Sequence, residues 1–308
     1  MPELQINSDI DIVKKNLLDL DKRQSDLFEI RRALIKELSD SICLNKELTF
    51  EIVKERYRDI FSDANFSEKY FDALSLADRV ELCSFLSKSP KLNRAFEEVL
   101  LGENEKCDAD AIGKVAYMKN NYTDQAYLTF SKVISSPRSS YHSSFQAVCE
   151  EVYSGTCEYC ILPIENSNDG KLMTFYSMID KYELKINYIC TVYHSNGQGF
   201  TKFALLKKSF SISGIFNASQ AYLSKRSLEI RVSELLKNDS PLFNILSAAE
   251  LCSLKLQRID SLPLTYNEDL LGYYVVFSIS QSDLKTFLMY LSLEYPQSYL
   301  MGVYLSVN

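Results

Sequence analysis

Between Ile10 and Leu38 the chain carries a stripe that returns every three or four residues, at Ile10, Val13, Leu17, Leu20, Gln24, Leu27, Arg31, Leu34 and Leu38. A strand would need a period of two, so this spacing commits the segment to one long helix with an apolar face. Ser8 or Asp9 supplies an N-cap, and a helix running to about Asp40 would be about 50 Å long at 1.5 Å per residue. Its stripe has to bury against other helices or a partner subunit. Gln24 and Arg31 are its polar members. A second helix is predicted over 48–61 and a third over 70–86, which makes residues 8–100 all-helical.

The period changes after the polar stretch Gly102-Glu103-Asn104-Glu105-Lys106, which reads as a linker. Val115–Met118 is a short apolar strand, followed by helical spacing over 124–134 and 144–153. Tyr159–Ile164 is a second buried strand, and a helix is expected near 171–181. Two β-rich runs, 186–194 and 200–206, are separated by Ser195-Asn196-Gly197-Gln198-Gly199, a strong hairpin signal. Strand and helix alternating in this way imply α/β construction. The last segment reads as strand 228–232, a helix with Ser240 as N-cap and Pro241 at its first position, strands 254–260 and 271–279, a helix 282–293 and a strand 299–306. That βαββαβ order makes a two-layer sandwich with one sheet face under two helices. The expected domains are 1–101, 112–213 and 226–308, a multi-domain α plus α/β chain.

A formal charge of −7 over 308 residues, with no basic stripe, excludes the clustered cations that nucleic acid demands. No run is long or apolar enough to be a signal peptide or a membrane span, so the expected location is the cytoplasm, with no membrane partner. The eight cysteines are scattered and read as reduced core residues. The close pair Cys157 and Cys160 lacks a second such pair, and the chain holds only His142 and His194, so no metal or cofactor is expected.

Recognition rests on particular residues. Ser144-Phe145-Gln146-Ala147-Val148, Val152-Tyr153-Ser154-Gly155 and the run Pro163-Ile164-Glu165-Asn166-Ser167 with Gly170 closely resemble the first lobe of prephenate dehydratases. Thr201-Lys202-Phe203 resembles the family's Thr-Arg-Phe motif. The helical segment looks like a fused chorismate mutase and the βαββαβ unit like an ACT domain, so the chain resembles the bifunctional chorismate mutase–prephenate dehydratases of phenylalanine biosynthesis. The resemblance implies conversion of prephenate to phenylpyruvate, CO₂ and water. Thr201 would be catalytic, with Glu165, Asn166, Ser167, Tyr122, Thr123, Lys202 and Phe203 binding substrate. Glu165, Asn166 and Ser167 are expected where a strand enters a helix, whose N-terminus favours carboxylates. In the mutase-like part it implies Lys14, Arg31, Lys54 and Glu55, with Glu51 beside them. In the ACT-like part it implies that Ser240, Pro241, Leu242, Asp260 and Ser261 bind phenylalanine. Partners would be prephenate or a related small carboxylate, phenylalanine and a second copy of the chain.

The sequence also departs from this pattern. Ile42 and Leu86 stand where the mutase has a lysine and a glutamine. Lys119-Asn120-Asn121-Tyr122-Thr123 replaces a glycine-rich loop, and Lys202 replaces an arginine, losing its planar fork. Above all, five residues close the gap where the family inserts a complete second lobe. A single-walled pocket open to water is the consequence. The alternative reading is therefore a regulatory or scaffolding homologue without turnover, sensing phenylalanine or binding a partner enzyme.

Overall fold

The computed structural model describes residues 2–44, 48–62, 75–101, 109–195, 197, 199–210, 225–233, 241–264, 267–279 and 283–308. They divide into two compact units, Met1–Leu92 and Asn93–Asn308. No helix among them is long and apolar enough to cross a membrane.

In the first unit the long stripe forms α1 (Pro2–Ile42), followed by α2 (Phe50–Ser62) and α3 (Leu76–Leu86). Ser75 caps α3 through a capping box: its hydroxyl accepts from Asp78 N, and the Asp78 carboxylate accepts from Ser75 N at 2.7 Å. Arg56 on α2 donates to Ile42 O at 2.7 Å, satisfying a carbonyl at the end of α1. Ile35, Ile42, Phe50, Val53, Tyr57, Leu82 and Leu86 are buried. The buried residues of α1, Ile35 and Ile42, lie off the predicted stripe, whose Leu17, Leu20, Leu27 and Leu34 are each more than half exposed. The expected third helix begins at Leu76; positions 70–74 of that expectation lie outside the described residues.

The second unit begins its α/β pattern with β1 (Lys114–Met118) and, after the further helix α4 (Pro90–Leu101) earlier in the chain, continues with α5 (Asn121–Phe130), β2 (Arg138–His142), α6 (Phe145–Tyr153), β3 (Tyr159–Asn166), β4 (Gly170–Lys171), α7 (Met173–Lys181), β5 (Lys185–Tyr193) and β6 (Phe200–Lys207). Asn120 and Ser144 cap α5 and α6 with their side chains. The chain then forms β7 (Arg226–Ser233), α8 (Pro241–Leu251), β8 (Lys255–Leu264), β9 (Asn267–Ser278), α9 (Leu284–Glu294) and β10 (Tyr299–Val307). The βαββαβ order read from the sequence is present.

All these strands belong to one sheet, in the order β2-β1-β3-β6-β5-β10-β7-β9-β8, with β4 beside β3. β10 joins its two parts, pairing parallel to β5 on one side and antiparallel to β7 on the other. Gly302 makes the first junction possible, because a Cβ there would meet Ile186 O at 2.5 Å.

Two apolar cores fill the sheet's faces. Val115, Tyr117, Ile161, Val192, Phe203 and Leu205 pack with Ala126 and Phe130 of α5. On the opposite face Leu162, Ile164, Ala204 and Leu206 pack with Val148 and Val152 of α6 and Tyr176 and Ile179 of α7. Tyr274 and Val276 of β9 and Met301 and Tyr304 of β10 join this second core. Each buried Val, Leu, Ile, Phe or Met among them contributes about 1.5–3 kcal/mol relative to exposure. The shared core bends the sheet. β3 and β8 are six strand spacings apart, about 29 Å on a flat sheet, yet Arg258 on β8 lies 2.9 Å from Glu165 on β3. The sheet therefore curls around α7.

Candidate functional site

Strand alternation divides the sequence-predicted residues between the two faces. Thr201 and Phe203 point with Leu205 toward α5, and Lys202 points with Ala204 and Leu206 toward α7. The pairings Glu165 with Lys202 and Asn166 with Thr201 across β3 and β6 carry the same division into β3, after a bulge between Pro163 and Glu165.

On the α5 face Thr201 Oγ1 lies 3.0 Å from His194 Nε2, and the ring of Tyr122 packs on the imidazole with centroids 5.0 Å apart. Thr201 and His194 are half-buried, Tyr122 is exposed, and the neighbouring Tyr193 is 73% exposed. His194 is held by its own backbone, whose N–H donates to Gly199 O at 3.0 Å. Gly199 has φ +105°, and a Cβ there would run into Ser167 Oγ and approach His194 Nδ1 at 3.3 Å. Only glycine closes this hairpin without displacing both side chains.

The predicted strand-to-helix entry at Asn166 is corrected here: the chain turns back as a second strand instead. Asn166 Oδ1 accepts from Asn168 N at 2.9 Å and Asp169 N at 2.6 Å, while its amide donates to Asp169 Oδ2 at 2.8 Å. This side-chain-mimicked turn, followed by Gly170 at φ +71°, folds β4 against β3. Helix α7 starts only at Met173, and its N-cap Leu172 has no side-chain hydrogen bond. Ser167 donates its N–H to Phe200 O and accepts from Phe200 N with Oγ, at 3.0 and 3.2 Å. Thr123 is buried, and its hydroxyl donates to Met118 O at 2.6 Å while accepting from Asn120 N at 3.0 Å. Phe203 is buried in the core under α5. Asn166, Ser167 and Thr123 thus spend polar groups on local structure, and Thr201 and His194 form the polar pair on this face.

On the α7 face the charged groups form a chain. Lys202 Nζ and Arg258 Nη1 sit on the two oxygens of Glu165 at 3.1 and 2.9 Å. Arg258 Nε donates to Asp260 at 2.7 Å, and Asp260 lies 3.8 Å from Lys171 Nζ. Lys171 pairs with Glu229 and donates to Tyr176 Oη at 2.7 Å, and Tyr304 Oη donates to Glu229 at 3.1 Å. Three cations face three carboxylates, so the cluster is neutral. Burial drives the Glu165 carboxyl upward, but hydrogen bonds from Arg258 and Lys202 outweigh it and hold the group below the ordinary glutamate range. Burial, with the Glu229 charge, pushes the Tyr176 and Tyr304 hydroxyls far up, so both remain donors.

The other predicted groups are separate. In the helical unit Arg31 forms a bidentate pair with Asp78, at 2.7 and 2.5 Å. Lys54 pairs with Glu51 at 2.8 Å and lies over the Phe50 ring, while Lys14 and Glu55 are exposed. In the βαββαβ unit Pro241 is buried at the start of α8, Leu242 is half-buried and Ser261 is exposed. Ser240 lies outside the described residues.

The sequence reading passed over His194, Arg258 and Glu229. Hairpin counting held the signal for the first, since a five-residue connection sets His194 beside the strand carrying Thr201. Glu229 gave no such signal, because Arg226–Ser233 alternates polar and apolar residues and sets Glu229 in a polar row with Ser227 and Arg231.

Comparison with known proteins bears on this same region. No curated protein sequence matches the chain. Among solved structures, the prephenate dehydratase of Streptococcus mutans is 17% identical, covering 63% of this chain and 99% of that one with a TM-score of 0.48. GqqA, described as a novel type of quorum quenching acylase, is 16% identical over 62% and 94% of the two chains, at 0.46. The prephenate dehydratase of Arthrobacter aurescens in complex with L-Phe is 14% identical over 62% and 90%, at 0.47. The family model described as prephenate dehydratase matches residues 118–234, so that stretch, with β3, β6 and the Thr201–His194 pair, is a prephenate dehydratase-family domain.

Proposed function

We propose that this domain binds prephenate or a related small carboxylate on the α5 face and eliminates water and CO₂ from it slowly. The observation that carries the reading is the 3.0 Å approach of Thr201 Oγ1 to His194 Nε2 beside the exposed ring of Tyr122. The Thr201 hydroxyl delivers a proton to the departing ring hydroxyl, which leaves as water, and a protonated His194 returns a proton to Thr201. The ring–carboxylate bond breaks at the same time, and its electron pair completes the aromatic ring as CO₂ leaves. Positioned proton donors of this kind contribute about 10²–10⁴ in rate. Exposure of Tyr122 and Tyr193 leaves the site wet, which weakens every charge interaction in it and keeps turnover low.

A second observation favours a regulatory reading. Glu165 is neutralised by Lys202 and by Arg258 of the βαββαβ unit, so this family residue ties two parts of the sheet together instead of standing free for a ligand. In that reading the βαββαβ unit binds phenylalanine near Pro241 and Leu242, and the chain acts as a cytoplasmic scaffold. In both readings two copies pair through the exposed stripe of α1, and the helical unit retains Arg31, Lys54 and Glu55 without mutase turnover, because apolar Ile42 and Leu86 are buried where charged or polar contacts are needed.

Incubating the purified chain with prephenate and following phenylpyruvate separates the two. Release above the protein-free rate, falling about 10²-fold or more in Thr201→Ala and in His194→Gln, is expected. A wild-type rate equal to the protein-free rate overturns the enzyme reading; calorimetric heat on adding phenylalanine then supports the regulatory one.

A further inference from the structure

Three side chains of metal-ligating type converge away from the Thr201 site. His142 ends β2, Glu151 lies on α6, and Cys157 precedes β3. Their ligand atoms all fall within 4.8 Å of one another. His142 Nδ1 is 4.0 Å from Glu151 Oε1, and Cys157 Sγ is 4.0 Å from Glu151 Oε2. We propose that His142, Glu151 and Cys157 hold a divalent cation of the zinc class, with water or an added ligand in the fourth position.

Chemistry and geometry both fit. Imidazole nitrogen, thiolate sulfur and carboxylate oxygen are the donor set of zinc, and three protein ligands with one open position is a common zinc arrangement. With bonds of about 2.0–2.3 Å, tetrahedral ligand atoms stand about 3.3–3.6 Å apart. The two pairs that include Glu151, both at 4.0 Å, close to that spacing by a side-chain movement of less than about 1 Å, and the third lies within 4.8 Å. The surroundings are already set. His142 Nε2 lies 3.1 Å from Ser140 Oγ, and a proton on Nε2 leaves the Nδ1 lone pair facing Glu151. A partner on the second ring nitrogen is what orients a metal-bound histidine. Thr156 donates its hydroxyl to Glu151 Oε2, and Cys157 N donates to Glu151 O at 3.0 Å, fixing the carboxylate and the cysteine backbone. Cys157 is 1% exposed, so its sulfur is shielded, while the His142 and Glu151 side chains reach solvent and give the ion an entrance.

The fold also gives the ion work to do. Among the described residues β2 is an edge strand that pairs with β1 and no other strand, and none of its five residues is buried. A cation at its last residue would clamp it to α6 and to the start of β3. On binding, the Cys157 S–H bond breaks, its proton goes to the buffer, and the sulfur electron pair forms the bond to the metal.

The test is a Co²⁺ titration of the full chain after treatment with a chelator, read by absorption. One equivalent per chain, a thiolate-to-cobalt charge-transfer band and displacement of the colour by Zn²⁺ are expected. Cys157→Ser removes the charge-transfer band, and His142→Ala weakens binding at least about tenfold. Ser140→Ala, which touches no ligand atom, weakens it about 10–100-fold. Circular dichroism reports whether each variant folds; if Cys157→Ser does not, the variants at the partly exposed His142 and at Ser140 decide. A spectrum without the charge-transfer band, or an affinity unmoved by His142→Ala, overturns the proposal and leaves a hydrogen-bonded polar cluster.

Discussion

Arg258 and Glu165 form an ion pair at 2.9 Å from opposite parts of one sheet, with five strands between theirs. The pair exists because α7 supplies an apolar body around which the sheet closes, bringing β8 over the end of β3. Glu165 is mostly buried while Arg258 is 39% exposed, so the carboxylate is the costlier group to strand.

Glu165→Gln removes the charge that holds Lys202 and Arg258 together. A loss of about 1.5–3 kcal/mol in urea unfolding is expected, larger than for Arg258→Met, whose partner keeps Lys202. The pH dependence follows from a carboxyl held below its unfolded value. Its stabilisation is complete above an unfolded pKa of about 4.3 and is lost as pH falls through the lower folded value. The variant should therefore show a shallower acid limb than wild type. An unchanged acid limb would place the stabilisation elsewhere.

Lys171 and Glu229 test a buried pair more severely, as both side chains are 3% exposed or less. Lys171→Met alone leaves a carboxylate in an apolar core with only two tyrosine donors and should cost about 3–5 kcal/mol. Adding Glu229→Gln to it should recover most of that loss. A double-mutant cycle in denaturant gives the coupling directly, and additive losses would show that the two charges do not act as a pair.

Lys185 is half-buried, with its ammonium over the rings of Tyr299 and Phe210, and donates to Leu300 O at 3.1 Å. Burial pulls its pKa down to about 7. Above that value the folded chain holds this lysine neutral while the unfolded chain still protonates it, so the unfolded state binds more protons. Stability from this group therefore rises with pH above about 7, by up to about 1.4 kcal/mol per unit, and is flat below. Subtracting the profile of Lys185→Met from that of wild type between about pH 7 and 8.5 should leave this slope, and a flat difference would refute it.

The exposed leucines of α1 predict self-association through that helix. Leu20→Glu and Leu27→Glu, each at a position more than half exposed, should leave the chain folded yet shift it to monomer in sedimentation. A wild-type monomer at micromolar concentration would refute the pairing.

What could be read from the sequence was what period and turn chemistry encode. The 115–118 and 159–164 strands, the hairpin 186–194 with 200–206, and the βαββαβ order all lie at or within a few residues of the observed elements. β2 was not visible, because Arg138-Ser139-Ser140-Tyr141-His142 is a polar edge strand with neither a hydrophobic run nor clean alternation. The turn after Asn166 was misread as a helix start, since a side chain that caps a helix and one that closes a turn are the same residue types. Thr201 was found by motif and His194 was not, since its place depends on hairpin register. The cations on Glu165 come from 37 and 93 residues away, and no local pattern announces such a meeting.

The seating of β10 between β5 and β7 has a consequence for synthesis. This strand is made after both of its neighbours, so each waits with an open hydrogen-bonding edge until β10 has emerged. Until then the nascent chain is two unfinished half-sheets exposed to mispairing, and β10 acts as the zipper that unites them.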